Sequence, residues 1–327
     1  MSKRLVQSEL LRLLEQADGY VSGEQLSRCL GVSRTAVWKR IVLLRNAGYG
    51  IQALPSQGYR LLTRPNLLSV DQLAAGLPEG SLVGQRLVCL DETGSTNFEA
   101  FRLAEAGAVE GTVVLADRQT AGKGRLGRQW ISPGGVNLYL SVVLRPHLPP
   151  YEAPQLTFLS AVAVARAIEQ HCGLIPAIKW PNDVLLNGCK VAGLLNEMSA
   201  ETDQVGFIVL GIGVNLNMSA DQFPDDLRSP ATSISIANGQ PVSRVLFAVR
   251  LLAALDHEYA RFLAEGFGPV REEWARRCNA YGRQVSVVVG GVELKGPFVG
   301  IDHDGALLLQ LPDGRLERVM SGDVTVF

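Results

Sequence analysis

Residues 122–128, GKGRLGR, combine three glycines with three cations, Lys123, Arg125 and Arg128. Glycine lets a backbone double back and approach a ligand closely, and the cations oppose negative charge, so the segment reads as an anion-binding loop. It spells G-x-G-x-x-G, but the dinucleotide fingerprint must leave a strand and open a helix. The continuation from Arg128, RQWISPGGVNLYLSVVL, has Pro133, paired glycines and an apolar run over 136–144, which predict a turn and then a strand. A Walker loop needs Ser or Thr after its lysine, where Gly124 stands, and a kinase needs HRD and DFG, which the chain lacks. Taken alone, the loop is better explained as a solvated turn.

Four further segments accompany it: DETGSTN at 91–97, KWPND at 179–183, Lys190-Val191-Ala192-Gly193, and GIGVNLN at 211–217. In this order and spacing the chain resembles the biotin protein ligases. With a helix-turn-helix pattern over its first 64 residues, it is most similar to their bifunctional type, ligase and biotin operon repressor, and the resemblance covers nearly the whole sequence. It implies two reactions: ATP and biotin give biotinyl-5′-AMP, and the biotinyl group then passes to a lysine of the biotin carboxyl carrier protein of acetyl-CoA carboxylase. It also implies Mg2+ with the ATP, operator DNA as a partner, and a homodimer formed when adenylate is bound.

No enzyme nucleophile is needed for such chemistry; the site must position its substrates and neutralise phosphate charge. The resemblance assigns Lys123, Gly124 and Arg125, with Gly122 and Arg128 of the same loop, to the biotinyl and phosphate part of the ligand. It gives Lys190 the carboxyl or phosphate end, and places Asp183 near the reacting centre to steer or deprotonate the incoming lysine. Catalytic roles thus fall to Lys190, Arg125 and Asp183. Biotin is a neutral ureido ring on an apolar chain and calls for a few hydrogen bonds in an apolar cavity, for which Ser95, Thr96, Asn97 and Gln119 are candidates. Thr96-x-x-Glu99 also reads as a capping box opening a helix to residue 106, which by itself accounts for the STN segment. Trp130 and Tyr139 are candidate pocket walls, and Asn215 a polar contact on the nucleotide side. No metal ligand is assigned, since magnesium with ATP is held mainly by phosphate and water.

The chain departs from the family pattern in two places. Lysine stands at 123, where many members have arginine, which keeps charge but not bidentate forking. FPDDLRSPATSIS, residues 223–235, lacks the tryptophan that some repressor-type members place over adenine. Two rivals remain: a lipoate- or octanoate-type ligase on the same fold, and a ligand-sensing transcription factor whose ligase domain has lost catalysis.

The 327 residues suggest two or three domains. Residues 1–64 carry ten Lys/Arg against four Asp/Glu, net +6, and the remaining 263 carry 21 against 28, net −7. The basic part suits nucleic acid. Five scattered cysteines without C-x-x-C argue against a disulfide framework or zinc ribbon, and four separated histidines against a histidine-built metal site. A charge-interrupted N-terminus and the lack of a long apolar run predict neither signal peptide nor membrane span, and hence a cytoplasmic protein.

Periodicity predicts helices over 5–16, from a Ser22 cap to Leu30, and over 34–47, with a turn at 31–33. Two short strands come next around Pro55-Ser56-Gln57-Gly58, giving a winged helix-turn-helix over 1–64. Ser33, Arg34, Thr35, Lys39 and Arg40 are its candidate DNA contacts, while Ala36, Val37 and Ile41 face inward. After a linker at 63–69, strands over 87–90, 112–116, 137–144 and 207–214 mix with helices over 157–171 and 244–263. This predicts an α+β domain around one mixed sheet over 70–275. Short strands with glycine turns over 282–327 predict a small all-β domain, SH3-like by the resemblance.

Overall fold

The computed structural model describes residues 9–14, 16–46, 49–63, 67–200, 203–224, 227, 230–289 and 291–327. The chain divides into two compact units, Met1–Asn66 and Leu67–Phe327.

In the first unit residues 9–14 form α1, and the rest of the helix expected over 5–16 lies largely outside the described residues. The second helix, α2 (Gly23–Leu30), starts at Ser22, whose side chain accepts from the Gln25 N–H, and ends at Gly31 in the left-handed region. Helix α3 (Arg34–Asn46) comes next, and β1 (Gly50–Leu54) pairs antiparallel with β2 (Gly58–Thr63) as the wing. Leu10, Leu14, Leu26, Leu30, Val37, Ile41, Leu44 and Ile51 close the core. Val21 and Tyr59 exchange backbone hydrogen bonds of 2.8 and 2.9 Å, tying the wing to the start of α2. That approach requires Gly58, because a Cβ there would lie 2.1 Å from the Val21 carbonyl oxygen.

The second unit is built on a seven-stranded sheet. After α4 (Val70–Gly76) come β3 (Arg86–Thr93), α5 (Thr96–Glu105) and β4 (Thr112–Gln119), then β5 (Leu138–Leu144) and α6 (Gln155–Cys172). Next are β6 (Ala177–Lys179), β7 (Asp183–Leu186), β8 (Cys189–Ala200) and β9 (Val205–Val214). Strand order is β3-β4-β5-β9-β8-β7-β6, with β3 parallel to β4 through the α5 crossover and the other pairs antiparallel.

Side-chain alternation divides the core between the faces. Val113 and Leu115 join the large cluster with α6 and with α8 (Arg244–Glu265), whereas Val114 packs with Ala100 and Ala104 of α5. Helices α7 (Ile234–Asn238) and α9 (Gly268–Arg277) complete the helical part. Then β10 (Gln284–Val289), β11 (Val292–Ile301), β12 (Leu307–Gln310), β13 (Leu316–Val319) and β14 (Val324–Val326) form an antiparallel sheet ordered β13-β12-β11-β10-β14. This is the expected small all-β domain, and its Val285, Phe298 and Leu309 share one core with α6 and α9. No described helix is long and apolar enough to cross a membrane.

One local expectation fails. Thr96 does not cap α5 in a box with Glu99: Ser95 is the N-cap, without a side-chain cap bond, and Thr96 is already helical. The Thr96 N–H and hydroxyl both point to Gln119 Oε1, at 2.8 and 3.1 Å, so tertiary contacts outcompete the local cap.

Candidate functional site

A cavity of about 640 Å3 opens along the ends of β4, β7, β8 and β9, within the range of small-molecule sites. Of the expected ligand and wall residues of this unit, all line it except Gly122 and Tyr139: Ser95, Thr96, Asn97, Gln119, Lys123, Gly124, Arg125, Arg128, Trp130, Asp183, Lys190 and Asn215. Gly122 acts behind the wall. A Cβ there would lie 2.5 Å from the Trp130 carbonyl oxygen, and the Trp130 N–H donates to the Gly122 carbonyl at 2.9 Å, closing the base of the loop.

The loop itself is a short hairpin, bridged between Lys123 and Gln129, with the Gly124 N–H donating to the Arg128 carbonyl at 2.6 Å. At its tip Leu126, exposed, adopts φ 56°, a left-handed conformation unusual without glycine.

At the polar end, Ser141 on β5 donates to Thr96 Oγ1 (2.8 Å) and Asn97 Oδ1 (2.6 Å), and Gln119 Nε2 reaches Ser132 Oγ at 2.9 Å. Asn97 Nδ2 donates to the Leu195 carbonyl and to Glu197, at 3.0 and 2.8 Å. Asn97 is therefore spent on bracing α5 against β8, while the buried Ser95 hydroxyl makes no cap bond and is left to the cavity. Asn215 is similarly committed, donating to the Thr232 carbonyl at 3.1 Å and accepting from Asn137 at 3.3 Å. These bonds hold the loop after β9 and fix Asn215 at the cavity wall. Tyr139 is buried and donates to the Pro133 carbonyl at 3.0 Å, which fixes the turn after the cationic loop instead of walling the cavity.

In the middle, the Trp130 ring lies over two glycines paired across β8 and β9, Gly193 and Gly213. A Cβ at Gly213 would sit 2.5 Å from Trp130 Nε1, and one at Gly193 2.9 Å from Cζ3, so only glycine admits the ring. Trp130 Nε1 is enclosed without an acceptor, and Lys190 Nζ stands 5.3 Å from the ring centre, a cation–π contact.

At the cationic end, Lys190 Nζ lies 2.6 Å from Asp183 Oδ1, and Arg125 donates to Asn182 Oδ1 at 3.2 Å. Asp183 and Asn182 sit at the turn of KWPND, which contains a cis Trp180-Pro181 bond. Arg128 pairs with Asp323, just before β14. Burial pulls the Arg125 guanidinium down, against Asp323 and Asp183. The hydrogen bond from Arg128 holds the Asp323 carboxyl below its ordinary value, and the same bond raises Arg128.

Ser141, Glu197 and Asp323 escaped the sequence reading, since each lies far along the chain from the motif it serves and carries no local pattern. Gly193 and Gly213 had a signal: glycines inside apolar strands mark close approach.

In the first unit, Arg34, Thr35 and Lys39 are exposed, as a DNA-facing surface requires. Ser33 is exposed but caps α3, accepting from the Ala36 N–H at 3.2 Å. Arg40 differs from expectation: it is half-buried, with Nη1 enclosed. Trp38, 53% exposed beside Lys39, was not singled out by sequence.

Comparison with known proteins agrees with this arrangement. The biotin/lipoate A/B protein ligase family model matches residues 89–215, an HTH domain model residues 6–60, and the biotin protein ligase C terminal domain model residues 281–326. The chain is 39% identical to the bifunctional ligase/repressor BirA of Bacillus subtilis, covering 98% of both chains. It is 32% identical to BirA of Escherichia coli, over 100% of this chain and 98% of that one. Among solved structures it is similar to the biotin protein ligase from Aquifex aeolicus in complex with biotin and ATP. There the TM-score is 0.63 at 28% identity, covering 74% of this chain and 99% of that one.

Proposed function

Because the chain belongs to the biotin protein ligases, in their bifunctional ligase/repressor form, we propose a division of labour among its parts. Residues 1–64 bind DNA, 70–275 carry the ligase chemistry and 282–327 close the mouth of its cavity. The protein is an ATP-dependent biotin protein ligase that also acts as a DNA-binding repressor.

The observation that carries the ligase assignment is one continuous cavity. It joins hydrogen-bonding groups at Ser95, Thr96 and Gln119 to cations at Arg125, Arg128 and Lys190, with the Trp130 ring between them. The ureido ring of biotin fits the first end, its apolar chain the Trp130 face, and its carboxylate and the ATP phosphates the second. In the first half-reaction that carboxylate attacks the α-phosphorus, the bond to the β-phosphate oxygen breaks and pyrophosphate leaves. In the second, the acceptor lysine's amine loses a proton and attacks the acyl carbon, and AMP leaves. Arg125 and Lys190 stabilise the charge developing on phosphate oxygens in a partly desolvated site. Asp183, 2.6 Å from Lys190, orients that ammonium and the approach of the acceptor amine. Gly122 and Gly124 let Lys123 and Arg125 come close.

Magnesium accompanies ATP. The two described carboxylates lining the cavity, Asp183 and Asp323, are committed to cations, so no protein-built cage forms among the described residues. The metal falls to phosphate and water, where it neutralises phosphate charge.

The acceptor is the biotin carboxyl carrier protein of acetyl-CoA carboxylase, the site of action the cytoplasm, and the repressing form a homodimer that binds a two-fold operator once adenylate is made. Incubation with ATP, magnesium and radiolabelled biotin or lipoate tests the reading. Biotinyl-adenylate bound to protein, followed by label on the carrier domain, is expected; a lipoyl product, or no adenylate, would overturn it.

A further inference from the structure

At the reacting end Lys190, Arg125 and Arg128 each have a partner within the chain, and one of these pairs differs in origin. Lys190–Asp183 and Arg125–Asn182 lie inside the central sheet and its loops, whereas Arg128 is held by Asp323 of the C-terminal sheet. Asp323 offers both oxygens to two nitrogens of Arg128, the fork that a pair of phosphate oxygens also makes with guanidinium.

The carboxylate is fixed in place. Val324, next to it, is buried and pairs with Val287 of β10. Gly322, before it, lets the chain press on that strand: a Cβ there would lie 2.6 Å from Val287 Cγ1 and 3.1 Å from the Val288 carbonyl oxygen. The charges of Arg125 and Lys179 also help to hold the Asp323 carboxyl below the ordinary value. The pair is accessible, with side chains 39% and 49% exposed, so an anion at the mouth reaches Arg128 without unfolding anything.

We propose that Asp323 is a positioning residue that acts as an internal anion, competing with the pyrophosphate moiety for Arg128 and so favouring release of pyrophosphate after adenylation. This rests on the ligase reading. Once the bond between the α-phosphorus and the bridging oxygen breaks, the departing pyrophosphate must give up its cations. A carboxylate already anchored beside Arg128 takes over the fork as the phosphate oxygens leave. Because the pair is half-exposed and screened by solvent, its competition is modest, about twofold to fivefold in affinity.

The test uses inorganic pyrophosphate as the probe, with the full-length protein and magnesium. Pyrophosphate binding by calorimetry and its inhibition of adenylate formation are compared for wild type, Asp323→Asn and Asp323→Ser, with the KM for biotin as an internal reference. The expected result is about twofold to fivefold tighter pyrophosphate binding in both variants, an unmoved biotin KM, and no tightening in an Arg128→Ala background. A residue that merely pinned the C-terminal sheet would weaken binding on removal, the opposite sign. Unchanged or weaker pyrophosphate affinity in both variants, or the same tightening without Arg128, would overturn the inference alone. A wild type that binds neither ATP nor pyrophosphate would overturn the ligase reading with it.

Discussion

On α3, Arg34 and Lys39 stand exposed with no carboxylate paired to them among the described residues, whereas in the cavity Lys190 and Arg128 each hold one. The two regions use the same charge for different ends. A surface that meets a polyanion gains from releasing its counterions and needs its cations free and solvated. A site that does chemistry needs each cation at one place before the substrate arrives, and an internal partner fixes that place at the cost of competing with the ligand.

Graded outcomes are expected from this difference. The largest effect is at the cavity: Lys190→Ala should lower biotinyl-adenylate formation about 100- to 1000-fold while leaving the fold intact, since a preorganised charge in a shielded site is lost. A radiolabel assay near the wild-type rate would place Lys190 with the solvated cations instead. Next is Gly213→Ala, whose methyl meets Trp130 Nε1. Overpacking of about 1–3 kcal/mol should raise the KM for biotin roughly 5- to 150-fold, measured with operator binding as a control.

For the first unit, Lys39→Ala and Arg34→Ala should each weaken DNA binding and flatten the plot of log affinity against log salt by about one unit, leaving ligation untouched. Titrations at several salt concentrations check this, and an unchanged slope would remove those residues from the phosphate contacts.

The smallest effect is a pH dependence. Asp323 has its folded pKa below the ordinary 3.8, so the pair with Arg128 stabilises the fold at pH above that value and the contribution is lost as pH falls through the lower, folded value. The stability difference between wild type and Asp323→Asn should stay level from about pH 5 to 8 and vanish only in strong acid. A difference already fading near pH 6 would point to another group.

Local chemistry was legible wherever it stayed local. The Ser22 cap, the left-handed Gly31, the wing turn at 55–58 and the strand after the cationic loop obey near-neighbour rules, and the structure contains each. The Thr96-x-x-Glu99 box was a valid local rule, but Gln119 and Ser141 gave the Thr96 hydroxyl better partners from β4 and β5. Asn215 reads in sequence as a polar contact on the nucleotide side; its place on the cavity wall and its bonds to Thr232 and Asn137 come only from the fold. Arg40 belongs to an exposed-looking helix face, and only the packed unit turns part of it inward.

The sequence by itself determined the kinds of chemistry available: a glycine-rich cationic loop, a basic helical unit at one end and a small glycine-turned sheet at the other. Composition and short-range spacing suffice for that, because caps, turns and alternation act over a few residues. Only the tertiary structure decided which charges meet. Arg128 and Asp323 are separated by 195 positions and Asn97 and Glu197 by 100, and no local pattern encodes either pairing. The first pair meets because a seven-stranded sheet and a five-stranded one share a buried core, the second because α5 packs on the sheet that carries β8; burying apolar surface, which is non-directional, brings together polar groups that the chain order keeps apart.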